Sequence, residues 1–150
     1  MRLEEVLKTS SNIPGSKKAI LSVIITAQSI SDEITEVLKP FELSSPQFNV
    51  LRILRGQKGK PANLNTIQER MISKMSNTTR LVDKLLTKGL VERIICEKNR
   101  RKVEITITDK GLKVLSELDP LIENTEEKFV AHLSDEEKST LTELLEKMRK

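Results

Sequence analysis

The chain has 150 residues, 37% of them hydrophobic and 32% charged, with a formal net charge of +4. That length fits one domain, and the apolar share supports a packed core and argues against disorder. Three phenylalanines (Phe41, Phe48, Phe129), one cysteine (Cys96) and one histidine (His132) leave too little material for base-stacking platforms, an internal disulfide, a Cys/His zinc site or a histidine-based triad.

The longest uncharged apolar stretch, residues 19–27, is well short of the roughly 20 residues a membrane span needs. Residues 1–16 hold no sustained apolar run and no small-residue cleavage site, so no secretory signal and a cytoplasmic location are expected. Segment 10–16 reads as a linker. From 17 to 38, Ile20, Val23, Ile24, Ala27, Ile30, Ile34, Val37 and Leu38 step by three and four along one helical stripe, which Pro40 should stop. A second helix is predicted over 46–55, with Ser45 as N-cap, Pro46 in its first turn and Gly56 in the left-handed position after it.

Asn63 is placed to cap a third, brief helix carrying Leu64, Ile67 and Met71. After a three-residue link (Ile72, Ser73, Lys74), a fourth helix turns Met75, Thr78, Val82 and Leu85 inward and stops at Gly89. Its other face shows Ser76, Asn77, Thr79, Arg80, Asp83, Lys84 and Thr87. The period then changes to two: 90–96 is β-rich, and Val103, Ile105 and Ile107 alternate with polar residues, giving a two-stranded hairpin with a basic tip. Thr108 should cap a long helix bearing Leu112, Leu115, Leu118, Ile122 and Phe129, kinked or interrupted at Pro120. Ser134 and Glu137 form a capping box for a last helix with the stripe Leu141, Leu144, Leu145 and Met148.

Charge is segregated along the chain. Residues 70–102 hold ten basic side chains against three acidic ones, whereas 103–150 are net acidic. A surface facing a polyanion and a set of solvated helix faces both fit this distribution. Two short helices, the second displaying small polar and basic groups, followed at once by a basic hairpin, give the order of a winged helix-turn-helix. The fold class is therefore mainly α with a small β-hairpin wing. A lobe at 44–108 is flanked by helices at 17–38 and 109–149, whose surplus apolar faces point to homodimerisation, all within one domain over 1–150. Short Ser76, Asn77 and Thr79 let a backbone approach the major groove. Arg80 then reaches a guanine edge, or pairs with Asp83 one turn on, or does both. Arg100 and Arg101 suit a minor groove, and Lys74, Lys84 and Lys102 suit phosphates.

The run Glu69-Arg70-Met71, Thr79-Arg80-Leu81-Val82-Asp83-Lys84-Leu85, Lys88-Gly89-Leu90-Val91-Glu92-Arg93, Asn99-Arg100-Arg101 and Ile107-Thr108-Asp109-Lys110-Gly111 resembles the MarR family of bacterial transcriptional regulators. The resemblance spans roughly 17–149. It implies a homodimer whose first and last helices interlock and whose two lobes grip a palindromic double-stranded DNA operator. In this reading the fourth helix is the recognition helix and Arg101 is the wing-tip arginine. It implies a repressor, and in the family a small, frequently phenolic or anionic effector often binds between dimer helices and lobe, which leaves an effector open here. From the residues themselves no membrane partner, cofactor or metal is expected. Asn99 stands where the family's wing motif has aspartate, so the wing loses an orienting ion pair.

Two other readings stay open: a winged-helix interaction or dimerisation module that no longer binds DNA, and a redox-responsive protein acting through Cys96. The cysteine also fits as a small residue at the base of the wing. His132 reads as an exposed loop residue. Paired carboxylates at 126–127 and 135–137 sit in or at the start of helices without a nucleophile or phosphate loop nearby, so no catalytic residue and no enzyme is expected.

Overall fold

A computed structural model describes residues 1–95 and 97–149. It opens on a single helical turn, α1 (Leu3–Val6), too short to leave a periodic signal in the sequence. The Lys18 ammonium ties α1 to the next helix by donating to Glu4, and this bond holds the Glu4 carboxyl below its ordinary pKa. α2 (Gly15–Leu38) is the long helix expected from 17–38. Pro40 lies just past its end in a 3-10 turn, Lys39–Phe41, closed by Glu42 in the left-handed region at φ 54°.

α3 (Ser45–Gly56) starts one residue earlier than expected because Ser44, not Ser45, is the N-cap. Ser44 Oγ accepts the Gln47 N–H at 3.3 Å, and Gln47 Oε1 accepts the Ser44 N–H at 3.1 Å. This reciprocal capping box satisfies two otherwise orphaned donors, which a cap at Ser45 could not do with Phe48 at the matching place. Gly56 is the last helical residue, and the left-handed positions fall later, at Lys58 (φ 53°) and Gly59 (φ 85°).

β1 (Ala62–Asn63) and α4 (Leu64–Arg70) follow, with Asn63 Oδ1 accepting the Thr66 N–H at 2.8 Å as the expected cap. Next come α5 (Thr78–Thr87), β2 (Val91–Ile95) and β3 (Val103–Ile107). Both β1 and β2 pair antiparallel with β3, in register Ala62↔Ile105 and Val91↔Ile107. The wing is thus a three-stranded sheet of order β1-β3-β2 rather than a two-stranded hairpin. A two-residue strand has no alternation to read, so β1 leaves no signal in the sequence.

The core lies inside this lobe and reaches the long helices. Leu38, Leu51, Leu54, Ile67, Val82, Leu85, Ile105, Leu115 and Leu118 are buried against one another. α6 (Asp109–Val130) starts from Thr108, whose Oγ1 accepts the Gly111 N–H at 3.1 Å and donates to the Gly89 carbonyl at 2.8 Å. Gly111 lies so close to the lobe that a Cβ there would stand 2.3 Å from the Leu90 carbonyl oxygen and 2.7 Å from Ile107 Cγ1. Pro120 does not interrupt α6, which continues to Val130.

α7 (Asp135–Met148) carries the expected capping box between Ser134 and Glu137, but buries none of its side chains. Leu144 remains 56% exposed and so does Ile24 on α2. Arg55 and Asp119 form a bidentate ion pair at 2.8 and 3.0 Å that fastens α3 to α6. Among the described residues, no helix is long and apolar enough to cross a membrane.

Candidate nucleic-acid interface

The helix-turn-helix is built from α4, the link Met71–Asn77 and α5. This link is longer than the three residues expected, because Asn77 caps α5 by accepting the Arg80 N–H at 3.1 Å. Helix therefore begins at Thr78. Met75, expected to face inward on that helix, precedes it and is 95% exposed. Thr78, Val82 and Leu85 do form the buried face.

Gln68, near the end of α4, braces the link from within. Its Nε2 donates to the Lys74 carbonyl at 2.9 Å, and its Oε1 accepts from the Thr78 hydroxyl, which is buried. Asn49 of α3 adds a second support, accepting the Ile72 N–H at 2.8 Å. Neither residue stands out in the sequence, since each acts on a partner far along the chain. The Lys74 ammonium, expected to face a phosphate, instead donates to the Glu69 carbonyl at the end of α4.

On α5, Thr79, Arg80 and Lys84 are exposed. The expected pairing of Arg80 with Asp83 does not form. Asp83 Oδ1 binds Arg93 Nη2 of β2 at 2.9 Å, because the strand that follows α5 brings a guanidinium alongside its solvent face. Exposed as it is, that ion pair contributes at most about 1 kcal/mol to stability. It still links the helix to the wing, and it leaves Arg80 with no acidic partner among the described residues. Arg93 stands in the family-like run, but its pairing with Asp83 has no sequence signal, because an arginine on a strand's solvent side looks like any other surface charge.

At the wing tip, Asn99 Oδ1 accepts the Arg101 N–H at 3.1 Å, and the Asn99 carbonyl accepts the Lys102 N–H at 2.9 Å. The amide therefore orders the tip through an Asx turn, the local service an aspartate also performs. Arg100 and Arg101 are exposed, while Lys102 Nζ lies 3.6 Å from a Glu104 carboxylate oxygen. Cys96 lies outside the described residues. His132 is an exposed turn residue, as expected.

A cleft of about 250 Å³ separates the lobe from the long helices, lined by Ile30, Ile34, Phe48, Asn49, Arg52 and Ile122 among others. Arg52 stacks over the Phe48 ring at 5.6 Å, and the Ser45 hydroxyl at this cleft is buried with no hydrogen-bond partner among the described residues. Asn49 thus borders the cleft and holds the link ahead of α5.

A braced helix pair followed by a small antiparallel sheet with a cationic tip defines a winged helix-turn-helix protein. Comparison with known proteins agrees. The family model described as MarR family matches residues 43–103. The HTH-type transcriptional regulator PecS of Dickeya dadantii (strain 3937) is 31% identical over 125 residues, 81% of this chain and 74% of that protein. With another curated HTH-type regulator, the match spans 54% of that protein's length. A crystal structure of a MarR transcription factor from Planctomyces limnophilus is 32% identical with a TM-score of 0.70, covering 91% of this chain and 98% of that one. A cysteine-to-serine mutant of MarR from E. coli, complexed with operator DNA, shares the fold at 24% identity and a TM-score of 0.75, over 84% of this chain and 89% of that one. The chain belongs to the MarR family, whose matched members are transcriptional regulators and not enzymes.

Proposed function

We propose that the chain is a homodimeric repressor that binds a near-palindromic double-stranded DNA operator in the cytoplasm. In this reading α5 lies in the major groove, with Arg80 reading a guanine edge beside Ser76 and Thr79. Arg100 and Arg101 enter the neighbouring minor groove, and Lys84 and Lys102 meet phosphates. Asn77 serves as the cap that aims the first turn of α5, and Lys74 contributes its charge from the link.

One observation carries the reading. Asp83 is engaged by Arg93 and Glu104 by Lys102, while Arg80, Lys84, Arg100 and Arg101 have no ion-pair partner among the described residues. Cations left uncompensated on one short helix and one hairpin tip are what a phosphate backbone neutralises. The chain should select a palindrome from a random duplex pool. Its log affinity should then fall with log salt at a slope of about 0.9 per phosphate contacted, whereas a salt-independent affinity would remove the DNA reading.

Dimerisation is supported by the apolar residues that α2 and α7 leave in water, Ile20, Ile24, Leu141, Leu144 and Met148. A two-fold pair would set its recognition helices about 34 Å apart, one duplex turn. Substituting Ile24→Glu together with Leu144→Glu is expected to yield monomers by analytical ultracentrifugation, and a dimer that survives both changes would contradict this assignment. The cleft between α2, α3 and α6 suits a small phenolic or anionic effector. Its apolar wall can bury a ring, and Arg52 supplies a cation beside it, with Asn49 and Glu126 as further polar groups of the lining.

A further inference from the structure

Met75 is 95% exposed, yet the backbone on both sides of it is held in place. The Lys74 carbonyl accepts from Gln68 at 2.9 Å, the Ser76 N–H donates to the Ser73 carbonyl at 3.3 Å, and Asn77 is fixed as the cap of α5. The thioether is therefore displayed from a braced turn rather than left on a slack loop. Keeping a large apolar side chain wholly in water forgoes its burial, which is recovered when an apolar surface arrives. Methionine, unbranched and polarizable, adapts readily to such a surface.

The neighbours of Met75 limit what that surface is. Lys74 and Ser76 adjoin it in the chain and Arg80 lies in the first turn of the helix that follows, and these are the cationic and small polar groups assigned above to the duplex. A thioether cannot neutralise a phosphate and offers base edges only a weak acceptor. In a B-form major groove, the apolar group available is the 5-methyl of thymine. We propose that Met75 is a specificity-determining residue that packs on the methyl of a thymine flanking the base reached by Arg80, once in each half-site. This inference rests on the DNA-binding reading and adds a base preference to it.

The test uses duplexes that the wild-type chain has selected from a random pool, resynthesised with each thymine in turn replaced by deoxyuridine, which lacks only the methyl. Wild-type affinity is expected to fall about fourfold at one position per half-site, the factor given by burying one methyl-sized group. Met75→Ala should fold and dimerise normally, bind the unsubstituted duplex with at least that loss, and show no response to the deoxyuridine. A wild type insensitive to every methyl would overturn the proposal, as would a methyl effect that Met75→Ala retains. Failure of the wild type to bind any duplex is a distinct outcome, which removes the DNA reading and this inference with it.

Discussion

Arg80→Ala is expected to lose about 1–3 kcal/mol of operator affinity per half-site, the value of a bidentate arginine–guanine contact, and to relax base preference at that position. The loss should appear in full because Asp83 is paired with Arg93, so removing the Arg80 guanidinium strands no carboxylate in the free protein. Stability to urea should stay within about 0.5 kcal/mol of wild type, as for other exposed substitutions. Arg101→Ala should weaken binding more evenly across sequences and flatten the salt dependence. Competition binding on selected and scrambled duplexes separates the two patterns. Unchanged affinity in both variants would favour the interaction-module reading, in which the winged scaffold holds a protein partner.

Gly111→Ala should cost more stability than any surface change. The added methyl would meet the Leu90 carbonyl oxygen at 2.3 Å and Ile107 at 2.7 Å, and the carbonyl is backbone that also accepts the Thr108 N–H. Relief requires the first turn of α6 to lift from the end of β3 and from the segment after α5. Overpacking of this kind typically costs about 1–3 kcal/mol, read as a lower urea midpoint with an unchanged slope. Operator affinity should fall as well, since the displaced contact joins α6 to the lobe. A variant as stable as the wild type would show that the helix start can shift without penalty.

The fold is most legible in the sequence where a signal and its partner lie within four residues. Asn63, Thr108 and Ser134 are readable as caps because each bonds an amide three residues on. Ser44 is masked by Ser45, which stands next to the helix-starting Pro46, although Gln47 marks the true box. Met75 falls on the inward stripe only if α5 is extended one turn too far, past the Asn77 cap that stops it. Long-range partners are beyond the reach of sequence patterns. Whether Asp83 pairs with Arg80 or Arg93 depends on where β2 runs, and the support that Gln68 gives the link depends on the angle between α4 and α5. The family motifs carry Gly111 without its reason, which is the backbone of Leu90 lying against it.

The fork between Arg55 and Asp119 has a mechanical consequence. Pro120 follows directly, and without an N–H it cannot bond the Ser116 carbonyl, so α6 lacks one rung of its ladder beside the point where the lobe is fastened. With that rung missing, bending of α6 is expected to cost least beside the fork. A bend at this point would move the far half of α6 relative to the first half, which Thr108, Gly111, Leu115 and Leu118 hold to the lobe.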